Sequence, residues 1–197
     1  MPIEERIKIW REARSPSMKQ RFFFPSIPPS VRLVFEPLSY QNGLKLLEIF
    51  KNDENPFVDE RFKSKPELVD YLASMLEYAA FSRKRAAFDW LVRCDTTGGY
   101  IGICHLHDLS NQVFGNENRK ATIGYAIGEK HRGKGFASEM VAHFSNFIFQ
   151  NSIIIKLLVY THKDNTDSIR LMEKLNWLRC DEKYVYSDTY AYFELTQ

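Results

Sequence analysis

A basic, glycine-containing turn carries the residues of this sequence best suited to bind a ligand. It reads Glu-Lys-His-Arg-Gly-Lys-Gly-Phe-Ala over residues 129–137 and places Arg132, Lys134, Gly133 and Gly135 directly before a predicted helix. The first backbone N–H groups of a helix lack partners within it, and the helix dipole puts a partial positive charge there. The turn therefore suits a phosphate or another anion, and glycine allows close approach and unusual dihedrals. The alternative is an ordinary strand-to-helix connection with basic side chains on its surface.

A second polar pattern opens the next predicted helix. Asn165-Thr-Asp-Ser168 follows an apolar stretch and has the spacing at which an Asn side chain binds the backbone N–H three residues on. A Ser in that first turn can close the same cap. Both side chains could instead face a ligand, so the pattern supports either a helix cap or part of a site.

Two histidines alternate along a predicted strand and precede an acid in His105-Leu-His107-Asp108. Alternate strand residues share one face, so these side chains could hold a metal ion together. No third ligand follows at a convincing spacing, and strand histidines are more often surface or cleft residues. We therefore expect no metal site.

Four acidic residues, Asp53, Glu54, Asp59 and Glu60, lie between the first two predicted helices. They could attract a cationic acceptor to a nearby site. A charged run of this kind is more often a solvated loop, which is the interpretation that we favour.

Composition indicates one domain with a buried core. The chain has 197 residues, which is long enough for one buried core and too short for two ordinary domains, and 44% of its residues are hydrophobic. Its net charge of +2, without a basic stripe interleaved with aromatics, argues against a nucleic-acid partner. Cys94, Cys104 and Cys180 are widely spaced within apolar stretches, which favours reduced core thiols over disulfides or zinc ligands.

No segment favours export or a membrane partner. The N-terminus is charged from Glu4 and lacks the apolar core of a secretory signal. The longest apolar runs are interrupted by Lys156 and fall well short of the ~20 residues of a membrane helix. We expect a cytoplasmic protein.

The hydrophobic pattern divides the chain into an arm, residues 1–30, and a single domain, residues 31–197. The arm is predicted to contain an amphipathic helix over residues 2–14 and a Pro-rich strap over residues 22–30, packed on its own subunit or on a neighbour. In the domain, period-two segments predict a meander of three antiparallel strands in mid-chain. The predicted strands are 31–36, 87–94, 99–107, 120–127, 153–160 and two within 177–195, and the predicted helices are 39–50, 64–82, 135–150 and 165–176.

Two of these motifs resemble a known family. Arg132, Gly135 and Ala137 fit the Arg-x-x-Gly-x-Ala signature of the GNAT superfamily of acetyl-CoA-dependent N-acetyltransferases. The segment 123–137 resembles its ribosomal-protein-alanine acetyltransferase branch, and 165–177 is similar to the family's segment after the fifth strand. The resemblance runs from about residue 31 to the C-terminus and is specific only in these two motifs.

The resemblance implies an α+β (α/β) fold and a cofactor site. The expected fold has a mixed, mostly antiparallel central sheet of six to seven strands flanked by about four helices. Backbone amides of the turn would hold the pyrophosphate of acetyl-CoA, the end of the preceding strand would pair with the pantetheine arm, and Asn165 would bind that arm. The implied cofactor-binding residues are Ile127, Gly128, Glu129, Arg132, Gly133, Lys134, Gly135, Phe136, Ala137 and Asn165.

The implied chemistry is direct attack of a neutral primary amine on the thioester, without a covalent enzyme intermediate. Many members of the branch have a Glu before the Ile-Gly-Tyr of the fourth strand, where this sequence has Thr122. A water chain touching Glu117, His105 or Glu129 is our hypothesis for removing the amine proton. The family's Tyr on the later helix is also missing, so Ser168 is the expected donor to the departing thiolate.

The resemblance implies an acetyl-CoA-dependent N-acetyltransferase with a small-molecule or peptide amine as acceptor. Deprotonating an α-amine at neutral pH costs ~1 kcal/mol, against ~4.6 kcal/mol for a lysine-type amine, so loss of the Glu is cheaper for a protein N-terminal α-amine than for a polyamine or aminoglycoside. The alternative is a non-catalytic acyl-CoA-binding sensor or assembly module. The arm is compatible with a homodimer, and the sequence leaves that open.

Overall fold

The computed structural model describes residues 26–81, 87–107, 119–181 and 188–197, with side chains up to residue 75 in the first of these ranges. The predicted arm helix over residues 2–14 lies outside the described residues, as do Asp108 and Glu117. The strap is described only from residue 26 onward.

A seven-stranded sheet in the order β1-β2-β3-β4-β5-β7-β6 forms the centre of the fold. The prediction of a mixed, mostly antiparallel sheet is confirmed, because only β4 and β5 run parallel. The meander β2-β3-β4 is confirmed as well. The strands are β1 (Leu33–Pro37), β2 (Phe88–Cys94), β3 (Tyr100–His107), β4 (Lys120–Ile127), β5 (Lys156–His162), β6 (Leu178–Arg179) and β7 (Tyr190–Thr196).

The two parallel strands pair only at their beginnings. Their register joins Lys120 to Lys156, Ala121 to Leu157 and Thr122 to Leu158, and no pairing between β4 and β5 follows. Beyond Thr122 the strands separate, while β4 stays paired with β3 up to Ile127. The sheet therefore contains a wedge-shaped opening with the second halves of β4 and β5 as its walls.

Helices cover both faces of this sheet. On one face, α1–α3 pack around Phe50, Phe62, Leu72, Leu91 and Ile103. On the other, α4 and α5 pack through a larger cluster that includes Met140, Phe144 and Met172. The helices are α1 (Tyr40–Gly43), α2 (Lys45–Phe50), α3 (Lys65–Phe81), α4 (Phe136–Asn151) and α5 (Thr166–Lys174).

Two predicted elements differ from the structure. The predicted helix over residues 39–50 is capped by Ser39 as expected, but it is broken at Leu44 into α1 and α2. The predicted strand over residues 153–160 begins later, at Lys156, and Tyr160 is 49% exposed instead of buried on both faces. The reason is the separation from β4, which opens one side of β5.

The described part of the strap packs against the same chain. Ile27 is buried in the core cluster beside α4. The carbonyl of Pro28 lies 2.7 Å from Nε2 of His143, and Ser30 donates to Glu139 over 2.6 Å. Of the two predicted arrangements, residues 26–30 therefore adopt the intramolecular one.

Gly102 of β3 provides a test of this sheet. A Cβ added there would lie 2.2 Å from the carbonyl oxygen of Ala126 on the neighbouring strand, and backbone cannot yield as a side chain can. We expect Gly102→Ala to lower the free energy of unfolding, measured by urea denaturation, by about 1–3 kcal/mol. Gly99→Ala is the control, because a Cβ there would meet nothing closer than 3.6 Å. Equal stability of the two variants would contradict the described register.

Candidate active site

The opening between β4 and β5 is a cleft of about 930 Å³. Its walls come from the second halves of both strands, from the turn before α4, from the start of α5 and from the loop between α2 and α3. Seven of the predicted cofactor-binding residues line the cleft, and so does Ser168. These seven are Ile127, Arg132, Gly133, Gly135, Phe136, Ala137 and Asn165.

The turn at the start of α4 has the backbone geometry that its glycines predict. Gly133 and Gly135 have φ values of +73° and +78°, a region that other residues enter only with strain. The first helical bond of α4 runs from the N–H of Glu139 to the carbonyl of Gly135. The N–H groups of residues 136–138 are consequently left without helical partners beside the cleft, as an anion site requires.

Arg132 braces this turn from within the protein. Its guanidinium bonds to the Asp53 carboxylate at 2.5 Å and to the carbonyl of Ile127 at 2.9 Å. The Asp53 side chain is fully buried and also accepts the backbone N–H of Glu129 at 3.1 Å. The interpretation of Asp53 as part of a solvated acidic loop is wrong, because this residue is the internal counterion of the turn.

Arg32, between the strap and β1, braces the turn from the other side. Its Nε and backbone N–H both bind the carboxylate of Glu139, and its Nη1 donates to the carbonyl of Lys134. The guanidinium also lies 4.5 Å from the centre of the Phe136 ring. Burial opposes ionisation of Glu139, but the hydrogen bonds from Ser30 and Arg32 outweigh it and lower the pKa of Glu139.

Two backbone N–H groups at the end of β4 are already bonded within the protein. The N–H of Gly128 donates to the carbonyl of Ile101, and that of Glu129 to Asp53, so neither can donate to a bound arm. Backbone groups alternate in direction along an antiparallel strand, so those of Ile123 and Tyr125 point away from β3, toward the cleft. The edge of β4 open to a ligand therefore includes Ile123 and Tyr125 and, by the same alternation, the predicted residue Ile127.

Asn165 and Ser168 form the cap that their spacing predicts. The Asn165 side chain accepts the backbone N–H of Ser168 at 3.3 Å. The Ser168 hydroxyl lies 2.8 Å from the hydroxyl of Tyr125 across the cleft. Burial raises the pKa of Tyr125 to about 12, although the hydrogen bond from Ser168 acts in the opposite direction. Tyr125 is not among the site residues that the sequence predicted. Its position on β4, opposite the start of α5, is the feature that could have indicated it.

His105 is not part of the cleft wall itself. Its Nδ1 forms a short hydrogen bond with Asp89, whose side chain is 3% exposed, and its ring stacks on Phe62. Thr122, at the position of the family's Glu, is buried. The ammonium of Lys134 donates to the carbonyl of Lys130 at 2.8 Å.

The outer part of the cleft is aromatic. Phe57, Tyr160, His162 and Tyr190 all line it, and Phe57 reaches across to stack on His162 with ring centres 5.4 Å apart. Tyr190 packs edge-on against both His162 and Tyr160. This group, here called the aromatic wall, is formed by the loop after α2 and by the ends of β5 and β7.

Two acidic side chains beside the aromatic wall are already paired. Asp59 forms a bidentate ion pair with Arg61, and Glu60 is bonded to Lys63. Burial opposes ionisation of Asp59, but the hydrogen bonds and charge of Arg61 prevail and lower the pKa of this carboxyl. Neither carboxylate stands uncompensated before an acceptor.

The described residues contain no group of three or more His, Cys, Asp or Glu that could hold a metal ion. Cys94 and Cys104 are buried free thiols, as predicted, whereas Cys180 is half-buried. Among the helices that the structure describes, none is long and apolar enough to cross a bilayer.

In a comparison with known protein families, the acetyltransferase (GNAT) domain family matches residues 32–177 of this chain. The chain belongs to this family of acetyltransferases. It is 33% identical over 81 residues to the uncharacterized N-acetyltransferase p20 of Bacillus licheniformis, a match over 41% of this chain and 43% of that relative. It is 26% identical over 148 residues to the uncharacterized N-acetyltransferase YoaA of Bacillus subtilis, over 74% of this chain and 79% of that relative.

Solved structures show the same fold at low identity. A Vibrio cholerae protein described as a ribosomal-protein-serine acetyltransferase has a TM-score of 0.68 at 16% identity, over 85% of this chain and 95% of that one. RimL, a ribosomal α-N-protein acetyltransferase in complex with coenzyme A, has a TM-score of 0.65 at 14% identity, over 86% of this chain and 97% of that one. A chimera containing a spermidine N-acetyltransferase of Vibrio cholerae has a TM-score of 0.63 at 16% identity, over 83% of this chain and 95% of that one.

The brace between Asp53 and Arg132 generates a testable prediction. We expect Asp53→Asn to raise the Kd of coenzyme A, measured by isothermal titration calorimetry, on the order of tenfold, because a turn that is no longer preorganised must be ordered on binding. Glu54→Gln is the matched control, since its side chain is exposed next to Asp53. An unchanged Kd in Asp53→Asn would show that the ion pair does not position the turn.

Proposed function

We propose that this chain transfers the acetyl group of acetyl-CoA to a primary amine, and specifically to the α-amine at the N-terminus of a protein or peptide. The observation that carries the proposal is the cleft itself. At one end it offers the free N–H groups of the turn, along one wall the open edge of β4, and at the other end the aromatic wall. An extended thioester and an amine can enter such a cleft from opposite sides.

The residues present fit acetyl-CoA. The glycines of the turn have no Cβ to keep a pyrophosphate away from the backbone. The space beside them is open, because a Cβ at Gly133 would meet nothing within 4 Å and one at Gly135 would meet only Arg32. Backbone groups of Ile123 and Tyr125 can pair with amides of the pantetheine arm as a neighbouring strand would. The Asn165 amide nitrogen has no partner among the described residues and can donate to the same arm. Acetyl-CoA supplies an activated acetyl group.

The protein's larger contribution is orientation. Holding two reactants in a productive arrangement is worth about 7–11 kcal/mol, whereas a general base typically adds 10²- to 10⁴-fold. Rigid positioning of the turn by Asp53 and Glu139 therefore matters more to the rate than any single proton transfer. Direct transfer needs no nucleophilic side chain, which agrees with buried Cys94 and Cys104.

Ser168 and Tyr125 are proposed to stabilise the departing sulfur. A phenol with a pKa of about 12 stays protonated at neutral pH and can donate a hydrogen bond to Ser168 or to an anion. It is too weak an acid to give its proton outright to a thiolate, since ordinary thiols have a pKa of about 8.5. The pair thus acts by hydrogen bonding, and the final proton comes from water.

The acceptor class is inferred from charge. A polyamine carries several positive charges and needs uncompensated carboxylates, whereas Asp59 and Glu60 beside the cleft are already paired with Arg61 and Lys63. An aromatic wall suits the apolar or aromatic side chain next to a peptide α-amine. The described structures of similar fold include both protein and spermidine acetyltransferases, so fold alone does not choose between them.

Release of the coenzyme thiol from acetyl-CoA, followed with a panel of amines, tests the proposal. We expect turnover with N-terminal peptides and much lower kcat/KM with spermidine and with aminoglycosides. A preference for spermidine would overturn the acceptor assignment. Tight acetyl-CoA binding without turnover of any amine would instead favour the sensor or assembly module.

Substitution of Ser168 tests the assignment at the sulfur. We expect Ser168→Ala to reduce kcat on the order of 10- to 100-fold while leaving the Kd of coenzyme A nearly unchanged, because the hydrogen bond matters only as charge develops on sulfur. Ser138→Ala, at the first turn of α4, serves as a control for loss of a hydroxyl beside the cofactor. Full kcat in Ser168→Ala would remove Ser168 from the mechanism.

A further inference from the structure

We propose that His105, oriented by the buried Asp89, is the base that accepts the proton of the acceptor amine. The proposal rests on the proposed transfer to an amine and names the residue that replaces the carboxylate missing at Thr122. His105 is the proposed base, and Asp89 is a positioning residue that acts through it.

The two side chains are cross-strand neighbours. In the register of β2 and β3, Asp89 lies directly opposite His105. The Asp89 carboxylate binds Nδ1 of the imidazole and is shielded from water, with 3% of its side chain exposed. A carboxylate can only accept, so Nδ1 must carry the hydrogen and Nε2 of the neutral ring is left with its lone pair. Among the described residues, Nε2 has no hydrogen-bond partner.

Gly124 lies between the imidazole of His105 and the cleft. His105 pairs with Gly124 in the register of β3 and β4, and Gly124 lines the cleft. A Cβ on Gly124 would lie 3.3 Å from Cδ2 of His105, the ring atom bonded to Nε2. The absence of a side chain at Gly124 therefore leaves open the path between the imidazole and the space where β4 and β5 separate.

His105 also lies close to the position of the family's carboxylate. Thr122 pairs with His107, and residues 122 and 124 project from the same face of β4 toward α1–α3. His105 and His107 project from the same face of β3. A base on β3 opposite Gly124 can consequently serve the same part of the cleft as a carboxylate at residue 122.

The groups facing the pair keep Asp89 in place. Tyr71 of α3 hydrogen-bonds to Asp89, and burial together with that negative charge strongly raises the pKa of the Tyr71 phenol, which stays neutral. The guanidinium of Arg61 lies 4.7 Å from the centre of the Tyr71 ring and is paired with Asp59. Within the described ranges, the charged groups around His105 are thus Asp89, Asp59 and Arg61, and of these Asp89 binds the ring.

In the proposed step, the amine nitrogen forms a bond to the acetyl carbon while the bond from that carbon to sulfur breaks. The proton leaving the nitrogen goes to Nε2 of His105, and the electron pair of the broken bond stays on sulfur, near Ser168 and Tyr125. Water then takes the proton from His105 and supplies one to the thiolate. The products are the acetamide and the free thiol.

The experiment compares His105→Ala and Asp89→Asn with the wild type on one peptide acceptor. We expect His105→Ala to lose about 10²- to 10⁴-fold in kcat, with KM for acetyl-CoA unchanged and with partial recovery on adding imidazole. Asp89→Asn should lose on the order of tenfold or more in kcat because the ring tautomer is no longer fixed. His143→Ala is the control, since that histidine is half-buried on α4, stacks on Phe35 and contacts the strap.

A spectroscopic measurement separates positioning from loss of structure. In ¹⁵N-labelled wild type we expect Nδ1 of His105 to carry the proton and Nε2 to be bare in the neutral ring, and Asp89→Asn to mix the two tautomers while the remaining amide spectrum is preserved. If the wild type turns over and His105→Ala keeps the same kcat, the inference is overturned. It is also overturned if Asp89→Asn leaves the tautomer of His105 unchanged. Failure of the wild type to acetylate any amine would contradict the proposed function itself, and the tautomer measurement would still decide the geometry.

Discussion

The candidate site depends on one feature of the sheet: the pairing between β4 and β5 stops after Thr122 and Leu158. Backbone N–H and C=O groups in the middle of a sheet are normally bonded on both sides, because unpaired buried polar groups are costly. Here the pairing stops after Thr122 and Leu158, although both strands continue. The free groups of β4 are then exposed in a cleft instead of being buried, and an amide-containing ligand can bond to them. The covering helices on both faces keep the two halves of the sheet together.

The ion pairs beside the turn show how a flexible segment is held in one conformation. Gly133 and Gly135 have more freedom in the unfolded chain than other residues, so ordering them costs entropy. Arg132 binds the fully buried Asp53, and Arg32 binds Glu139, so the turn is fixed on both sides by residues far away in sequence. A buried carboxylate without its partner would be strongly destabilising, which makes the Asp53 contact selective for this one arrangement. Both arginines are bonded within the protein, so the proposed anion site depends mainly on backbone N–H groups.

Local features of the fold could be predicted from the sequence, whereas contacts between distant segments could not. The start of α4 and the caps at Ser39 and Asn165 follow from short-range patterns, and all are present. The burial of Asp53 does not, because its partner lies 79 residues away and its neighbour Glu54 is exposed. The exposure of Tyr160 has the same origin, since the loss of pairing with β4 after Leu158 leaves no mark in the hydrophobic pattern.

The base illustrates the same limit within the site. Position 122 could be compared with a family pattern, and its Thr indicated that a carboxylate was missing. The candidate replacement lies on the neighbouring strand, where His105 is bonded to Asp89 of a third strand, and only the register of β2, β3 and β4 brings these residues together. Because adjacent strands place side chains of one face within reach of the same space, a proton acceptor can move from one strand to the next without altering the turn proposed to bind the cofactor. In this proposal, cofactor binding and proton transfer are separable constraints on the fold: the first depends on the backbone of β4 and α4, and the second requires only a basic atom beside Gly124.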